Sequence, residues 1–219
     1  MISGKPTILL TSLTLLLAWS CQAASRTPES LVASLAQPAP ANTLFKEVRF
    51  DPMLDKPLVL TGELAWLGGD HLKRMVVTPW SETTDVSNGE VTLTRGGHGP
   101  QHFSLTRSPE LESVLGSFQS LLSGQSAGLL KAFEAKVTGG DAHWTLTLVP
   151  RDQRLKKHIA TIVVYGADKE PRCMRIDNAD SGNSLTLFGR LSLAPLPQPI
   201  TAAALEKMCK GSADNGKPA

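Results

Sequence analysis

The chain has 219 residues, of which 41% are hydrophobic, and its 22 Lys and Arg nearly match its 20 Asp and Glu. This length and composition suit one soluble globular domain with a sizeable core after removal of a leader. The balanced charge gives no reason to expect a nucleic acid partner, because nucleic acid-binding surfaces carry a clear excess of Lys and Arg.

The N-terminus predicts export. Lys5 precedes an apolar run from Ile8 to Trp19 that is too short to span a bilayer, and small residues follow it. This pattern is typical of a secretory signal peptide, and no later segment is long and apolar enough for a membrane span. We expect a signal peptide over residues 1–23, one domain over 24–210 and a flexible tail over 211–219.

Two processing routes remain open at Cys21. A lipidated bacterial Cys usually follows a Leu-small-small triplet, whereas the triplet here is Ala18-Trp19-Ser20. Cleavage after Ala23 is the favoured route, because Cys21 and Ala23 then supply the small residues at the two gating positions. The favoured route gives a soluble exported protein, and the other gives a protein anchored by a lipid at Cys21.

Cleavage after Ala23 leaves two cysteines, Cys173 and Cys209. In an oxidising compartment such a pair suggests a disulfide, which would join the C-terminal segment to a strand near Cys173. A loop of that length stabilises a fold by about 3–4 kcal/mol in the chain-entropy model. The alternative is two separate buried thiols.

The first predicted element of the mature chain is a helix. Thr27-Pro28-Glu29 combines a capping hydroxyl, a proline at the first turn and an early acid, which together predict a helix start. Leu31 and Leu35 then lie on one face of that helix, and Pro38 ends it. Residues 44–50 alternate loosely and predict the first strand.

The segment "GELAWLGGDHLKRMVVTP", Gly62 to Pro79, predicts a hairpin. Leu58, Leu60, Leu64 and Trp66 share one strand parity, which indicates a strand with one dry face. Gly68-Gly69-Asp70 forms the turn, and residues 71–78, with Met75 in their apolar load, form the second strand. Residues 80–88 are polar and predict a loop, and residues 90–95 predict another strand.

Two helices are expected near the middle of the chain. Ser108-Pro109-Glu110 repeats the helix-start chemistry, and Gly124 ends the first helix. Its apolar stripe consists of Leu111, Val114, Leu115, Phe118, Leu121 and Leu122. The second predicted helix, Ser126 to Lys136, carries Leu129, Leu130 and Phe133.

Four more strands are predicted after the helices, at residues 143–149, 159–165, 172–176 and 184–193. The first alternates sharply, with Trp144, Leu146 and Leu148 on one face. The whole pattern is a meander of antiparallel strands with one dry face, which must be buried. The two central helices are the expected cover.

No constellation in the sequence indicates catalysis. The chain has no Gly-x-Ser-x-Gly elbow and no Walker loop, and no nucleophile is paired with a base. His98 and His102 lie among glycines without further ligands, so a polar loop is the favoured interpretation over a zinc site. We expect a protein that is not an enzyme and that uses no metal and no cofactor. Its apolar sheet face forms either a solid core or the wall of a cavity.

The order of several motifs resembles the LolA family of periplasmic lipoprotein carriers. After the first helix come "TLFKEVRF", "GELAW" with "VVTP", "SNGEVTL", the helical insert, "HWTLTLVP" and "ATIVVYG", so that the resemblance covers residues 31–193. It implies an α+β, mainly β fold: an unclosed antiparallel β-barrel, which is a curved sheet, covered by a helical lid over a hydrophobic cavity.

The resemblance also implies a function. The protein would be a monomer in the periplasm that binds the acyl chains of a lipoprotein or related acylated lipid. It would receive this cargo from an inner-membrane transporter and pass it to an outer-membrane acceptor. The alternative is a non-catalytic structural or interaction module of the envelope, with a solid core and a possible lipid anchor at Cys21.

The resemblance assigns roles to particular residues. The cavity would be lined by sheet residues and by residues under the lid: Leu64, Trp66, Met75, Leu115, Phe118, Leu122, Phe133, Trp144, Leu146 and Leu148. Simple core packing is the alternative for each. The sequence departs from the family at one place, because Gly68 occupies the position of an Arg that hydrogen-bonds the lid shut, and Arg74 does not match that position.

Overall fold

The computed structural model describes residues 26–107, 109–180 and 182–211. The predicted signal peptide with Cys21, the capping residue Ser108 and the tail from residue 212 lie outside the described residues. The same holds for the side chains of Leu111 and Val114 in the predicted apolar stripe.

The described chain forms eleven strands and five α-helices. The strands are β1 (Ala41–Phe50), β2 (Leu58–Gly68), β3 (His71–Thr78), β4 (Glu82–Ser87), β5 (Glu90–Arg95), β6 (Gln101–Ser104), β7 (Phe133–Gly139), β8 (Trp144–Pro150), β9 (Ile159–Ala167), β10 (Glu170–Asn178) and β11 (Asn183–Phe188). The helices are α1 (Pro28–Ser34), α2 (Pro109–Ser123), α3 (Ser126–Ala132), α4 (Arg190–Leu193) and α5 (Ala202–Cys209).

All eleven strands belong to one antiparallel sheet in the order β6-β5-β4-β3-β2-β1-β11-β10-β9-β8-β7. The first and last strands, β1 and β11, are neighbours near its middle, while β6 and β7 form its two edges. The sheet is curved and unclosed, which confirms the predicted fold class. An unclosed sheet keeps two distinct faces, and each must be covered or tolerate water.

The strand registers define these two faces. One row of opposed residues runs across six strands and consists of Leu146, Val164, Met174, Thr186, Glu47 and Leu60. Since side chains alternate along each strand, this row fixes which residues share a face. We call it the lid face, because α1, α2 and α3 pack on it, and we call the opposite side the outer face.

The helices bury one half of the lid face. Leu31, Leu121 and Leu129 from α1, α2 and α3 pack against Leu146 and Ile162 of the sheet. On the outer face, Leu205 and Cys209 of α5 pack against Val163, Cys173 and Leu187. The chain therefore has separate cores on the two faces of a single sheet.

The predicted start of α1 is confirmed. Thr27 is the N-cap, and its Oγ1 accepts a hydrogen bond from the Ser30 backbone N–H at 3.2 Å, with Pro28 in the first turn. At the other end of the lid, Gly124 terminates α2 with a φ of +74°. A Cβ on Gly124 would lie 2.7 Å from Cβ of Ala36, so the glycine also permits the close approach of the segment after α1.

Three local predictions were wrong. Residues 82–87, predicted as a loop, form β4, which pairs with β3 and β5. The sequence did not reveal this strand, because its side chains are polar on both faces and only Val86 is buried. The second helix ends at Ala132, and Phe133 instead begins β7 with an extended backbone. The last strand ends at Phe188, since Gly189 takes a φ of +54° and the chain continues as α4.

The structure joins Cys173 of β10 to Cys209 of α5 in a disulfide, with their Cα atoms 5.6 Å apart. The two cysteines are separated by 36 residues, and both are buried in the outer-face core. The bridge fixes the C-terminal helix to the sheet. The contribution of this disulfide to the free energy of unfolding is a prediction.

We expect the double substitution Cys173→Ala and Cys209→Ala to lower the free energy of unfolding by about 2–4 kcal/mol, because the unfolded chain regains loop freedom. Urea unfolding followed by circular dichroism measures this loss. A reductant should destabilise the wild-type protein by a similar amount and leave the double variant unchanged. A wild-type protein that is insensitive to reductant under unfolding conditions would contradict the prediction.

Candidate functional site

The site is the lid face together with the helices that cover part of it. α1, α2 and α3 contact one another, and α1 and α3 also pack on edge strand β7. The backbone N–H of Gln37 donates to the Leu122 carbonyl at 2.9 Å, which ties the segment after α1 to the end of α2. The lid helices therefore pack mainly over the β7–β10 half of the face, while α2 also reaches β4 and β5 through Leu115.

Four of the predicted cavity residues lie in this covered half, namely Phe133, Trp144, Leu146 and Leu148. Each is at most 2% exposed, and all belong to the core beneath the helices. Phe118 of α2 packs against the same core and is only partly buried. In the structure these side chains form packed core beneath the lid helices.

The remaining predicted residues divide between two smaller clusters. Leu115 packs beside Val86, Val91 and Leu105, where α2 approaches β4 and β5. Leu64 packs against Phe45, Leu60 and Val76 of β1 to β3. Trp66 is 8% exposed on the same face, and Leu122 is partly exposed on α2.

Met75 does not lie with the other predicted residues. It pairs with Glu63 of β2 and Thr83 of β4, whereas Leu64 pairs with Arg74. Because neighbouring residues on a strand point to opposite faces, Met75 lies on the outer face. Its assignment to the cavity wall is therefore wrong, because the register of the hairpin turns Arg74 and Val76, and not Met75, to the lid face.

The other half of the lid face carries an apolar patch. We call this set the β1–β3 patch: Phe45, Leu60 and Val76 are buried, and Leu58, Leu64 and Phe188 are partly exposed around them. Every one of these residues lies on the lid face by strand register. The apolar surface of this half comes from Leu58, Leu64 and Phe188, because the three central residues of the patch are at most 3% exposed.

Charged side chains cross the same half of the face, and sequence analysis missed them. Arg74 Nη2 lies 2.7 Å from Glu47 Oε2, and Arg74 Nη1 lies 3.7 Å from Glu82 Oε1. Arg49 pairs with Glu47 at 2.6 Å, and Arg95 pairs with Glu82 at 2.7 Å. We call these five residues the ion-pair network. The sequence does show that Glu47 and Arg74 have the same strand parity as Phe45 and Val76, which suggests a shared face. Only the strand register shows that β1, β3, β4 and β5 all contribute charged side chains to this network.

The turn of the β2–β3 hairpin contacts the lid. Gln119 Nε2 of α2 donates to the Gly69 carbonyl at 2.9 Å, and the Trp66 indole N–H donates to the same oxygen at 3.1 Å. Gly68, at the place of the family Arg, has a φ of +104°. Arg74 points to Glu47 instead. The lid is thus held to this turn by a side chain from the helix.

A separate small cavity of about 110 Å³ lies where the β7–β8 turn meets the end of α5. Thr138, His143, Tyr165 and Lys210 contribute to its walls. Burial raises the pKa of the Tyr165 phenol, and the charge of Arg175 opposes this shift. Of the predicted cavity residues only Trp144 reaches this space, so it is distinct from the lid face site.

One protein-family model matches nearly the whole length of the chain. A family model described as "Outer membrane lipoprotein carrier protein LolA-like" matches residues 20–212. The chain belongs to this LolA-like family. The resemblance predicted from motif order is therefore confirmed.

The chain is also similar to several solved structures at low sequence identity. A LolA superfamily protein from Nitrosomonas europaea is 10% identical, with a TM-score of 0.42 over 79% of this chain and 95% of the other. A putative outer membrane lipoprotein-sorting protein domain from Vibrio parahaemolyticus is 10% identical, with a TM-score of 0.35 over 77% and 90%. LprF from Mycobacterium bovis is 14% identical, with a TM-score of 0.34 over 81% and 100%.

No functionally curated protein matches the LolA-like chain significantly. Among the helices in residues 26–107, 109–180 and 182–211, none has both the length and the hydropathy needed to cross a membrane. In this described part of the chain, no three His, Cys, Asp or Glu side chains come together as metal ligands.

The hydrogen bond between Gln119 and the Gly69 carbonyl can be tested by substitution. Gln119→Ala should speed amide hydrogen exchange within α2 by about fivefold, because one side-chain hydrogen bond to the hairpin turn is lost. The matched control is Gln125→Ala, since Gln125 lies exposed at the start of α3 and its side chain makes no capping bond. Equal exchange protection of α2 in both variants would refute the contact.

Proposed function

We propose that this protein is a periplasmic carrier that binds the acyl chains of a lipoprotein or related acylated lipid on its lid face. It would move this cargo from the inner towards the outer membrane. The observation that carries the proposal is the β1–β3 patch, an apolar surface on the inner side of an unclosed sheet beside a helical cover. Membership of the LolA-like family supports the same function.

The energetics favour an acyl ligand on this surface. Each CH₂ group removed from water contributes about 0.8 kcal/mol, so a chain laid along the β1–β3 patch is bound without any catalytic group. Phe118 and Leu122 of α2 are only partly buried, and Phe118 packs against the core beneath the helices, so the lid helix also has apolar surface that supports the proposal. A chain can then contact the sheet and the helix together.

Loading requires movement of α2 relative to the sheet. α2 is held to the β2–β3 turn through Gln119, whose hydrogen bond contributes about 1 kcal/mol net, and Leu115 packs beside Val86 and Val91. An acyl chain of many CH₂ groups would offset the loss of these contacts by its own burial. The well-packed contacts of α1 and α3 with β7 would keep the lid attached while α2 moves.

The further parts of this proposal follow the family. An inner-membrane transporter would supply the cargo, an outer-membrane acceptor would take it, and the carrier would work as a monomer without a cofactor. LolA-like proteins are generally non-catalytic binding proteins, so we propose no reaction. Cleavage after Ala23 would release the protein into the periplasm.

A structural or interaction module of the envelope is the second candidate. The observation that favours it is the covered half of the lid face, where Phe133, Leu146 and Leu148 are at most 1% exposed. Such a module would have a solid core and a lipid anchor at Cys21. Metabolic labelling with a palmitate analogue would detect that anchor.

The proposal predicts the effect of charges on the lid helix. Phe118→Asp and Leu122→Asp should each weaken acyl binding by at least about tenfold, because an unpaired carboxylate would face the chain. Displacement of a fluorescent fatty acid measures this affinity. Native mass spectrometry of protein purified from the periplasm should show bound lipid in the wild type and less in both variants.

Two controls separate this effect from general damage. Glu112→Ala changes an exposed residue of the same helix. Leu193→Asp introduces the same charge at a leucine that is 70% exposed on α4. Both controls should bind like the wild type, and circular dichroism should show that all variants fold. Equal affinities in every variant would refute the lid assignment, and absence of apolar ligands from the wild type in both assays would refute the carrier function.

A further inference from the structure

The ion-pair network is unusual for its place in the fold. It lies on the lid face, where the proposed carrier presents its apolar surface, and it joins β1, β3, β4 and β5 across that face. Charged groups removed from water are costly unless they are paired and hydrogen-bonded. Their presence among apolar side chains therefore requires a physical account.

The centre of the network is well paired. Glu47 is 11% exposed and accepts from both Arg74 and Arg49, while Glu82 is 13% exposed and lies close to both Arg74 and Arg95. The Arg74 guanidinium also lies 4.9 Å from the centre of the Phe45 ring. Arg74 is thus fixed between two carboxylates and an aromatic face.

The sheet makes room for this arrangement at Gly62. Gly62 lies on the lid face between Phe45 and Val76, in the strand that separates Glu47 from Arg74. A Cβ at this position would lie 1.8 Å from the Met75 carbonyl oxygen and 2.9 Å from the Phe45 ring. The glycine leaves the space over β2 in which the side chains of β1 and β3 meet.

The network carries more positive than negative charge. It contains three arginines, Arg49, Arg74 and Arg95, and two glutamates, so its formal charge is +1. The two terminal arginines are also its most exposed members, since Arg49 is 46% and Arg95 is 61% exposed. Each terminal guanidinium therefore has surface for a further anionic partner.

Apolar surface lies directly beside these charges. The partly exposed Leu58 lies opposite Arg49 in the register of β1 and β2, and the partly exposed Phe188 lies opposite Phe45, whose ring contacts Arg74. All three apolar residues belong to the β1–β3 patch. One half of the lid face thus combines an apolar surface with an adjoining positive charge, which is the complement of a lipid with an anionic headgroup.

We propose that the ion-pair network binds the phosphate headgroup of an anionic acylated lipid whose chain lies on the β1–β3 patch. Guanidinium groups match phosphate oxygens in bidentate geometry, and Arg49, which lies opposite the partly exposed Leu58, supplies the exposed donor nearest the patch. Arg95 adds an exposed positive charge at the other end of the network. Arg74 and the two glutamates hold the site in place. This inference rests on the proposed function and names the chemical class of its cargo.

The test compares two ligands with the same chain. Myristoyl lysophosphatidylglycerol carries an anionic phosphate, and monomyristoylglycerol carries none; displacement of a fluorescent fatty acid measures both affinities. The wild type should bind the phosphate ligand about tenfold more tightly, as expected for a charge-assisted contact between the phosphate and a half-exposed arginine. High salt should reduce this preference, because it screens exposed charges.

The variant Arg49→Gln with Arg95→Gln should lose the preference to within about twofold while its affinity for monomyristoylglycerol stays unchanged. The paired control is Arg154→Gln with Arg190→Gln, which removes two exposed arginines from other parts of the surface. The control should keep the wild-type preference. A purely structural role of the network would instead change both affinities together in the test variant.

The outcomes separate this inference from the carrier function. If the wild type binds both ligands equally, or if the control loses the preference as well, the headgroup site is refuted and the carrier function stands. If the wild type binds neither ligand, both proposals fail. Circular dichroism confirms that each double variant is folded before affinities are compared.

Discussion

The physical constraint on which the structure depends is that its eleven-stranded sheet does not close. A closed barrel buries its inner face by itself, whereas this sheet must cover that face with other elements. Three helices do so over the β7–β10 half, where Trp144 and Leu146 are almost fully buried. On the opposite face, α5 and the disulfide at Cys173 hold the last part of the chain in place.

Both halves of the lid face have buried apolar residues at their centre, but different side chains surround them. The covered half is ordinary packed core, in which removal of a helix would expose large apolar side chains. The half formed by β1 to β5 combines the β1–β3 patch with the ion-pair network. A hydrogen bond from Gln119 holds α2 to the hairpin turn of this half. The packing of Leu115 beside Val86 and Val91 is a second contact of α2 with this half.

The sequence predicted the architecture because its signals were local. The cap at Thr27, the Gly-Gly turn and the alternation around Trp144 each follow from short-range chemistry. The ion-pair network could not be predicted, since it depends on a register that brings Glu47 near Arg74 across an intervening strand. Met75 was misplaced for the same reason. β4 escaped prediction because its neighbours, not its own polar side chains, make it a strand.

The central claim is that an acyl chain binds on the lid face. The most direct measurement is photo-crosslinking of the wild-type protein with a fatty acid that carries a photoreactive group in its chain, followed by peptide mass spectrometry. We expect adducts on lid-face residues such as Leu58, Leu64 and Phe118, and their loss when unlabelled lipid competes. Adducts that concentrate on outer-face residues such as Met75, or that resist competition, would contradict this claim.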